Sequence, residues 1–482
     1  MKQTWILAWI LGVLAAAAQA LPLRILATGD MHGWLKGVSV PGSGGESAAT
    51  LGGAAETLAQ WRDEEGYRGD NFLVLSAGDV ATGPAISTAY QGLPAVEAMN
   101  AMGYDASALG NHELDFGMPG LAALREKAGF PFLSANVFSG KARRPLLPPY
   151  CLIEKAGLKI GILGLTTSEL AQAAASGALR AGSYAEALKR WAPRARADGA
   201  QLLIVLAHVP LDELEALAGQ VGELGIPLML GGHSHELGQA REPKSGTWIV
   251  NSGEWWRAYS RIDMDVNTVT GKALVLSSRQ SWVRWAKEPD SKVKKLVDRW
   301  QAKLEADPAY SRALGFLAAP LPRFWPASNF ACDAWLAMDP KSDVVLNYDG
   351  ALRQDLEAGA LTRAKLTSLL PFSDGLLRLS LSGAELLALL PGEGGQMGLA
   401  GIRREKGVYR LMNTGQALDP AGRYRVLVNT YMAATLPQLK KPALSAVKVA
   451  DDWRDPLERW LRAHPSSATA PLDALIDVKP RL

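Results

Sequence analysis

Cysteine is nearly absent. The 482 residues include two, Cys151 and Cys332, too few for a disulfide scaffold or a thiolate metal centre. They lie far apart in the chain and are read as separate thiols. An excess of one charge is lacking too: 51 Lys and Arg stand against 48 Asp and Glu, for a net +3. So small an excess argues against a surface built to hold a nucleic-acid polymer. No run after residue 20 is apolar enough to cross a bilayer, and no internal repeat or low-complexity tract is present. Histidine is also rare, with six in the whole chain.

What is present is a globular composition, 48% hydrophobic, with length for several domains that each bury a core. The first twenty residues have the pattern of an export leader. Lys2 supplies the positive start, residues 5–18 are apolar, and Ala18-Gln19-Ala20 is a small-x-small cleavage site. The run is shorter than the ~20 residues of a spanning helix, and no Cys follows it to carry a lipid. A periplasmic or secreted monomer with no membrane span is expected.

Beyond the leader, short apolar runs at 23–27, 72–76, 159–163, 202–206 and 227–230 read as buried strands. A helix is expected at 52–61, after a flexible loop at 41–45. Strands alternating with helices predict a layered α/β domain over 21–286. A linking segment at 287–326 opens with a helix at 287–306, whose Val293, Leu296, Val297 and Trp300 share one face. Its Lys- and Arg-rich face is read as solvated. A smaller α+β domain is expected at 327–482. Its predicted helices are 330–338, 363–370 and 383–390, and its strands 343–346, 376–381, 408–412 and 425–428.

Five of the six histidines fall in segments of one kind, each just past an apolar run or a Gly turn: Thr28-Gly29-Asp30-Met31-His32, Gly110-Asn111-His112-Glu113, Ala207-His208 and Gly231-Gly232-His233-Ser234-His235. Ala77-Gly78-Asp79 is a further segment of that type. In an open α/β sheet, ligands bind beyond the carboxyl ends of the strands, so one fold can bring all of these together. Imidazoles with carboxylates and no thiolate suit divalent Zn, Mn, Fe or Co. The glycines before Asp30, Asp79, Asn111 and His233 would let the backbone turn sharply near an ion. Alone, each motif also fits a turn or a hydrogen-bonded core histidine. Their joint occurrence in this order favours a metal cluster of Asp30, His32, Asp79, Asn111, His208, His233 and His235.

These segments resemble those of the calcineurin-like metallophosphoesterases, and the layout of the chain resembles the bacterial periplasmic 5′-nucleotidase and UDP-sugar hydrolase family. The resemblance implies a four-layer α/β/β/α domain followed by a substrate-binding domain, with two divalent metal ions. It places Asp30, His32, Asp79 and His235 in one metal site and Asn111, His208 and His233 in the other, bridged by Asp79. It makes His112 the catalytic histidine and Asp115 its partner. A pair of such cations can make water acidic enough to attack phosphorus at neutral pH.

In the second domain the match is looser. Asn347-Tyr348-Asp349-Gly350-Ala351-Leu352-Arg353 resembles the family's Asn-x-Gly-x-x-Arg stretch with one extra residue, and Arg353 corresponds to an Arg that contacts substrate phosphate or carboxylate. Pro371-Phe372-Ser373-Asp374 resembles Pro-Phe-x-Asn, which implies that Phe372 stacks on the base, with Asp374 standing where Asn is usual. A Gly-Gly-Asp-Gly loop found in many members is missing after Val428, where Tyr431 offers a second ring. Most of the fifteen Trp residues are read as packing. The activity implied is two-metal hydrolysis of phosphoesters, above all 5′-nucleotides. The alternatives are another anionic ester, as in thiosulfohydrolases or phosphodiesterases, or a periplasmic binding protein with a silent metal site.

Overall fold

The computed structural model describes residues 20–40, 49–142, 144–170, 178–268, 270–348, 350–392, 397–439 and 446–482. The expected leader, apart from Ala20, lies outside them, as do the loop at 41–45 and Asp349.

In the strand Ala20–Thr28, Leu23, Ile25 and Ala27 enter one buried core and Leu26 another. In Leu202–His208, Leu202, Ile204 and Leu206 enter that first core, while Leu203, Val205 and Ala207 enter a third. Strand side chains alternate, so a strand buried on both faces reads as one unbroken apolar run. Two six-stranded sheets follow. One has the order Ala273–Trp282, Ala258–Asn267, Ala20–Thr28, Leu73–Ser76, Ala106–Ala108, Phe132–Leu133. The other has the order Leu237–Arg241, Trp248–Ser252, Leu228–Gly231, Leu202–His208, Leu158–Thr166, Tyr150–Lys155. They share a core, and helices such as Leu93–Met102 and Tyr184–Ala197 cover the outer faces. This is the expected α/β/β/α arrangement.

Parallel pairing fixes the site. Ala20–Thr28, Leu73–Ser76 and Ala106–Ala108 run parallel, as do Leu158–Thr166, Leu202–His208, Leu228–Gly231 and Trp248–Ser252. Their carboxyl ends therefore gather at one edge of each sheet.

The helix expected at 52–61 is Ala54–Glu64. The one expected at 287–306 is Ser291–Ala306, capped by Asp290, which accepts from the Lys292 and Val293 N–H groups. It lies on the first domain: Val293, Val297 and Leu304 join that core, and Trp300 donates to Glu97 at 2.7 Å. Within the rest of 287–326, strand Ala313–Leu317 pairs with Gly359–Thr362.

The second half is built on a five-stranded mixed sheet, in the order Met397–Ala400, Val344–Tyr348, Arg423–Asn429, Leu376–Ser382, Ala446–Ala450. Helices Trp325–Met338 and Arg454–Ala463 pack on one face. The first starts five residues before the expected 330, because Pro326 suits a helix's opening turn. The helix expected at 383–390 ends at Leu387, after a Ser382–Glu385 capping box. No helix among the described residues is long and apolar enough to cross a membrane.

Candidate metal centre

All seven side chains proposed as ligands meet where the two sheets present their strand ends. Three groups of potential donor atoms lie within 4.8 Å of one another: Asp30, His32 and His235; His32, Asp79 and His112; Asp79, His208 and His233. Asp79 belongs to two of them. Its Oδ2 is 3.0 Å from His208 Nε2 and 3.6 Å from His32 Nε2. Asn111 Oδ1 is 3.1 Å from His208 Nε2.

The sharp turns expected of the preceding glycines are made mostly by the candidate ligands themselves. Asp30, His32, Asp79, His233 and His235 have φ of 51°, 47°, 52°, 75° and 61°, a left-handed region costing non-glycine residues about 1–3 kcal/mol each. Of the four glycines only Gly78 has positive φ, 96°. Gly110 serves close approach instead, since a Cβ there would meet Asp79 Oδ1 at 2.1 Å. The strained turns are tied together: the His233 N–H donates to Asp30 at 2.9 Å, and the His112 N–H to Asp79 Oδ1 at 2.9 Å.

The donor set fits cations. His32 and His208 donate Nδ1–H to the carbonyls of Thr82 and Ala77, each at 2.8 Å, and His235 donates Nδ1–H to Glu254. The His32 and His235 rings thus keep their lone pairs on Nε2. Those lone pairs converge, with His32 Nε2 3.0 Å from His235 Nε2. Facing lone pairs repel unless a positive centre lies between them. Burial holds His32 well below its ordinary value and His235 down to about 4, so protons do not supply that centre. At His208 burial is outweighed by Asp79, which raises it to about 9; this carboxylate, too, calls for a positive partner.

Beside the cluster, His112 Nδ1 is 2.9 Å from Asp115 Oδ2, and His112 Nε2 is 3.9 Å from Asp79 Oδ2. Burial opposes its protonation, but Asp115 and Asp79 prevail and raise His112 to about 9. From the second half, the ring of Phe372 stacks on His112 at 5.0 Å, and the Arg353 guanidinium lies over Phe372 at 5.1 Å. Asn347 and Asp374 are deployed differently. Asn347 is fully buried between Ser328 and Asn429. Asp374 lines one cleft with Asp79, His112 and Arg353, yet its carboxylate accepts from the Thr430 hydroxyl at 2.6 Å and the Tyr431 N–H at 2.9 Å.

Three carboxylates at the site carry no expectation from the sequence. Glu113 is fully buried and accepts from the Asp79, Val80 and Gly110 N–H groups, buckling two ligand loops together; burial and the charge of Asp79 push it up to about 7. Glu254 holds His235 and pairs with Arg257. Glu169 lies 3.4 Å from His233 Nε2. Glu169 and Glu254 follow the strands Leu158–Thr166 and Trp248–Ser252, so the strand-end rule that singled out the histidines would have found both.

Comparison with known proteins agrees with this geometry. The calcineurin-like phosphoesterase profile matches residues 23–237, and that of the 5′-nucleotidase C-terminal domain matches residues 325–437. The chain is 27% identical to a 5′-nucleotidase of Vibrio parahaemolyticus, over 77% of this chain and 78% of that one. It is 24% identical to the endonuclease YhcR of Bacillus subtilis, over 87% of this chain, but spans only 37% of that protein's length. A 5′-nucleotidase precursor from Thermus thermophilus has the same fold, with a TM-score of 0.76 at 23% identity, covering 95% of this chain and 98% of that one. The chain thus combines a calcineurin-like phosphoesterase domain with a 5′-nucleotidase C-terminal domain.

Proposed function

We propose that this protein is an exported phosphomonoesterase that binds two divalent cations and hydrolyses 5′-nucleotides to nucleoside and phosphate. The observation that carries the reading is the convergence of imidazole Nε2 atoms on Asp79 and on one another, beside the His112–Asp115 pair and facing Arg353. Asp30, His32, Asp79 and His235 would hold one cation, and Asp79, Asn111, His208 and His233 the other. Such a pair supplies a nucleophile at neutral pH and neutralises charge on the phosphoryl oxygens.

The remaining work belongs to the chain. His112, kept protonated by Asp115, donates Nε2–H to a phosphoryl or leaving oxygen. Phe372 fixes the plane of that imidazole by stacking on it. Arg353 offers a cation opposite the cluster, where a phosphate oxygen gains a charge-assisted hydrogen bond. Glu254 orients His235 through Nδ1, and Arg257 orients Glu254. Asn347 and Asp374 support these residues from within the second half. Export is supported by the positive, apolar and small-residue pattern of residues 2–20.

The test is turnover by the mature, manganese-loaded protein. Release of phosphate from AMP and from p-nitrophenyl phosphate supports the reading. Turnover of p-nitrophenyl phosphate without AMP limits it to the phosphomonoester, and turnover of neither refutes it.

A further inference from the structure

The turn from Gly253 to Arg257 joins the strand Trp248–Ser252 to Ala258–Asn267. Three of its residues have left-handed φ: Gly253 at 73°, Trp255 at 59° and Trp256 at 50°. Glycine takes this conformation freely, but two successive tryptophans do not. Such strain persists only where surrounding contacts over-determine it. Here those contacts lead to the Asp30–His32 loop and to His235.

Trp255 holds the loop twice. Its N–H donates to the Asp30 carbonyl at 2.8 Å. Its ring stacks on Trp34, just beyond His32, with centroids 4.5 Å apart and planes inclined by 19°. Both rings are almost wholly buried. Trp256 reaches the start of the loop. Its Nε1–H donates to the Tyr104 hydroxyl at 3.0 Å, and that hydroxyl lies 2.8 Å from Thr28 Oγ1. Thr28 ends the strand that leads into Asp30. From the same turn, Glu254 accepts Nδ1–H of His235, and Arg257, which pairs with Glu254, lies over the Trp255 ring at 4.6 Å. One short turn thus grips both sides of the group formed by Asp30, His32 and His235. His208, by contrast, is fixed by the Ala77 carbonyl.

We propose that Trp255 is a positioning residue for the first cation site, keeping Asp30 and His32 in register with His235 so that their donor atoms converge. The inference rests on the two-cation reading above and adds a residue outside the ligand set that acts through the loop. A ring serving only the core would lower stability when removed and leave metal affinity alone. A positioning ring separates the two quantities.

Calorimetric titration of the metal-free protein with manganese tests this. Trp255→Gly is expected to weaken one of two binding steps about tenfold or more and to leave the other unaltered. It should nonetheless melt above Trp255→Ala, since glycine adopts a φ of 59° without strain. Trp255→Phe keeps a stacked ring and should restore the affinity, and Trp34→Leu should reproduce the loss from the opposite face. Two backgrounds assign the site. In Asn111→Ala, which leaves the first donor set complete, Trp255→Gly should weaken the remaining strong site. In His32→Ala, which leaves the second set complete, it should change nothing. The inference is overturned if both steps keep their affinity in Trp255→Gly, or if the loss appears in the His32→Ala background. If the unmutated protein binds only one manganese ion, the two-cation reading itself fails.

Discussion

The two halves of the molecule supply the site by different means. In the first domain, five strand ends deliver Asp30, His32, Asp79, Asn111, His208, His233 and His235 to one point, although the segments are far apart in the chain. In the second half, Arg353 and Phe372 reach that point from loops, while Asn347 and the Asp374 carboxylate are tied within the half's own structure. A metal cluster needs particular residue types at particular strand positions. A recognition surface needs shape, which depends on how side chains pack. The first half should therefore respond to substitution through metal content and turnover, and the second through stability and substrate choice.

The largest effects test the first half. Removing a shared or buried donor, as in Asp79→Ala or His208→Ala, is expected to lower turnover by roughly 10³-fold or more and to reduce bound metal; full turnover would show that the cluster is not the catalytic centre. Next comes His112→Ala, which should keep its metal but lose ~10²-fold in turnover. Loss of metal instead would make His112 a ligand rather than an acid.

Glu254→Ala should weaken metal affinity by about 10–100-fold through His235, read by titration with manganese. An unaltered affinity would separate Glu254 from the site. The charge of His112 gives a pH test. Its proton, held to about 9 against an ordinary 6.5, contributes stability that is fully present below the ordinary value and is lost as pH rises through about 9. In metal-free protein, Asp115→Asn should lower the pH at which the His112 ring signal titrates; no change would remove Asp115 as its partner.

The smallest effect belongs to the second half. Asp374→Ala removes the carboxylate that accepts from the Thr430 hydroxyl and the Tyr431 N–H, costing about 1–3 kcal/mol and lowering the thermal midpoint. If it instead left stability intact and abolished AMP binding, Asp374 would be a recognition residue after all.

Much of the first half was legible because its signals are local. A doubly buried strand leaves a solid apolar run, as at 202–206, and a ligand loop leaves Gly, Asp, Asn or His just beyond it. The same rule reaches Glu169 and Glu254, where carboxylates without a nearby His attract no notice. Glu113 was hidden differently: its role is to accept three backbone N–H groups, and nothing in Asn-His-Glu announces backbone partners. The left-handed φ of Asp30 and His32 was equally silent, since glycine is the residue that signals such turns. In the second half, the resemblance to the family's motifs pointed to Arg353 and Phe372, but the stacking of Tyr348 on Tyr431 depends on two segments meeting. The helix Ser291–Ala306 showed its apolar stripe in sequence, but not which domain the stripe covers.

The central claim is that two cations share Asp79. Electron paramagnetic resonance of the protein loaded with two equivalents of manganese tests it directly. The account predicts the spectrum of an exchange-coupled pair that gives way to an uncoupled signal in Asp79→Asn. An uncoupled single-ion signal from the fully active, unmutated protein would contradict it.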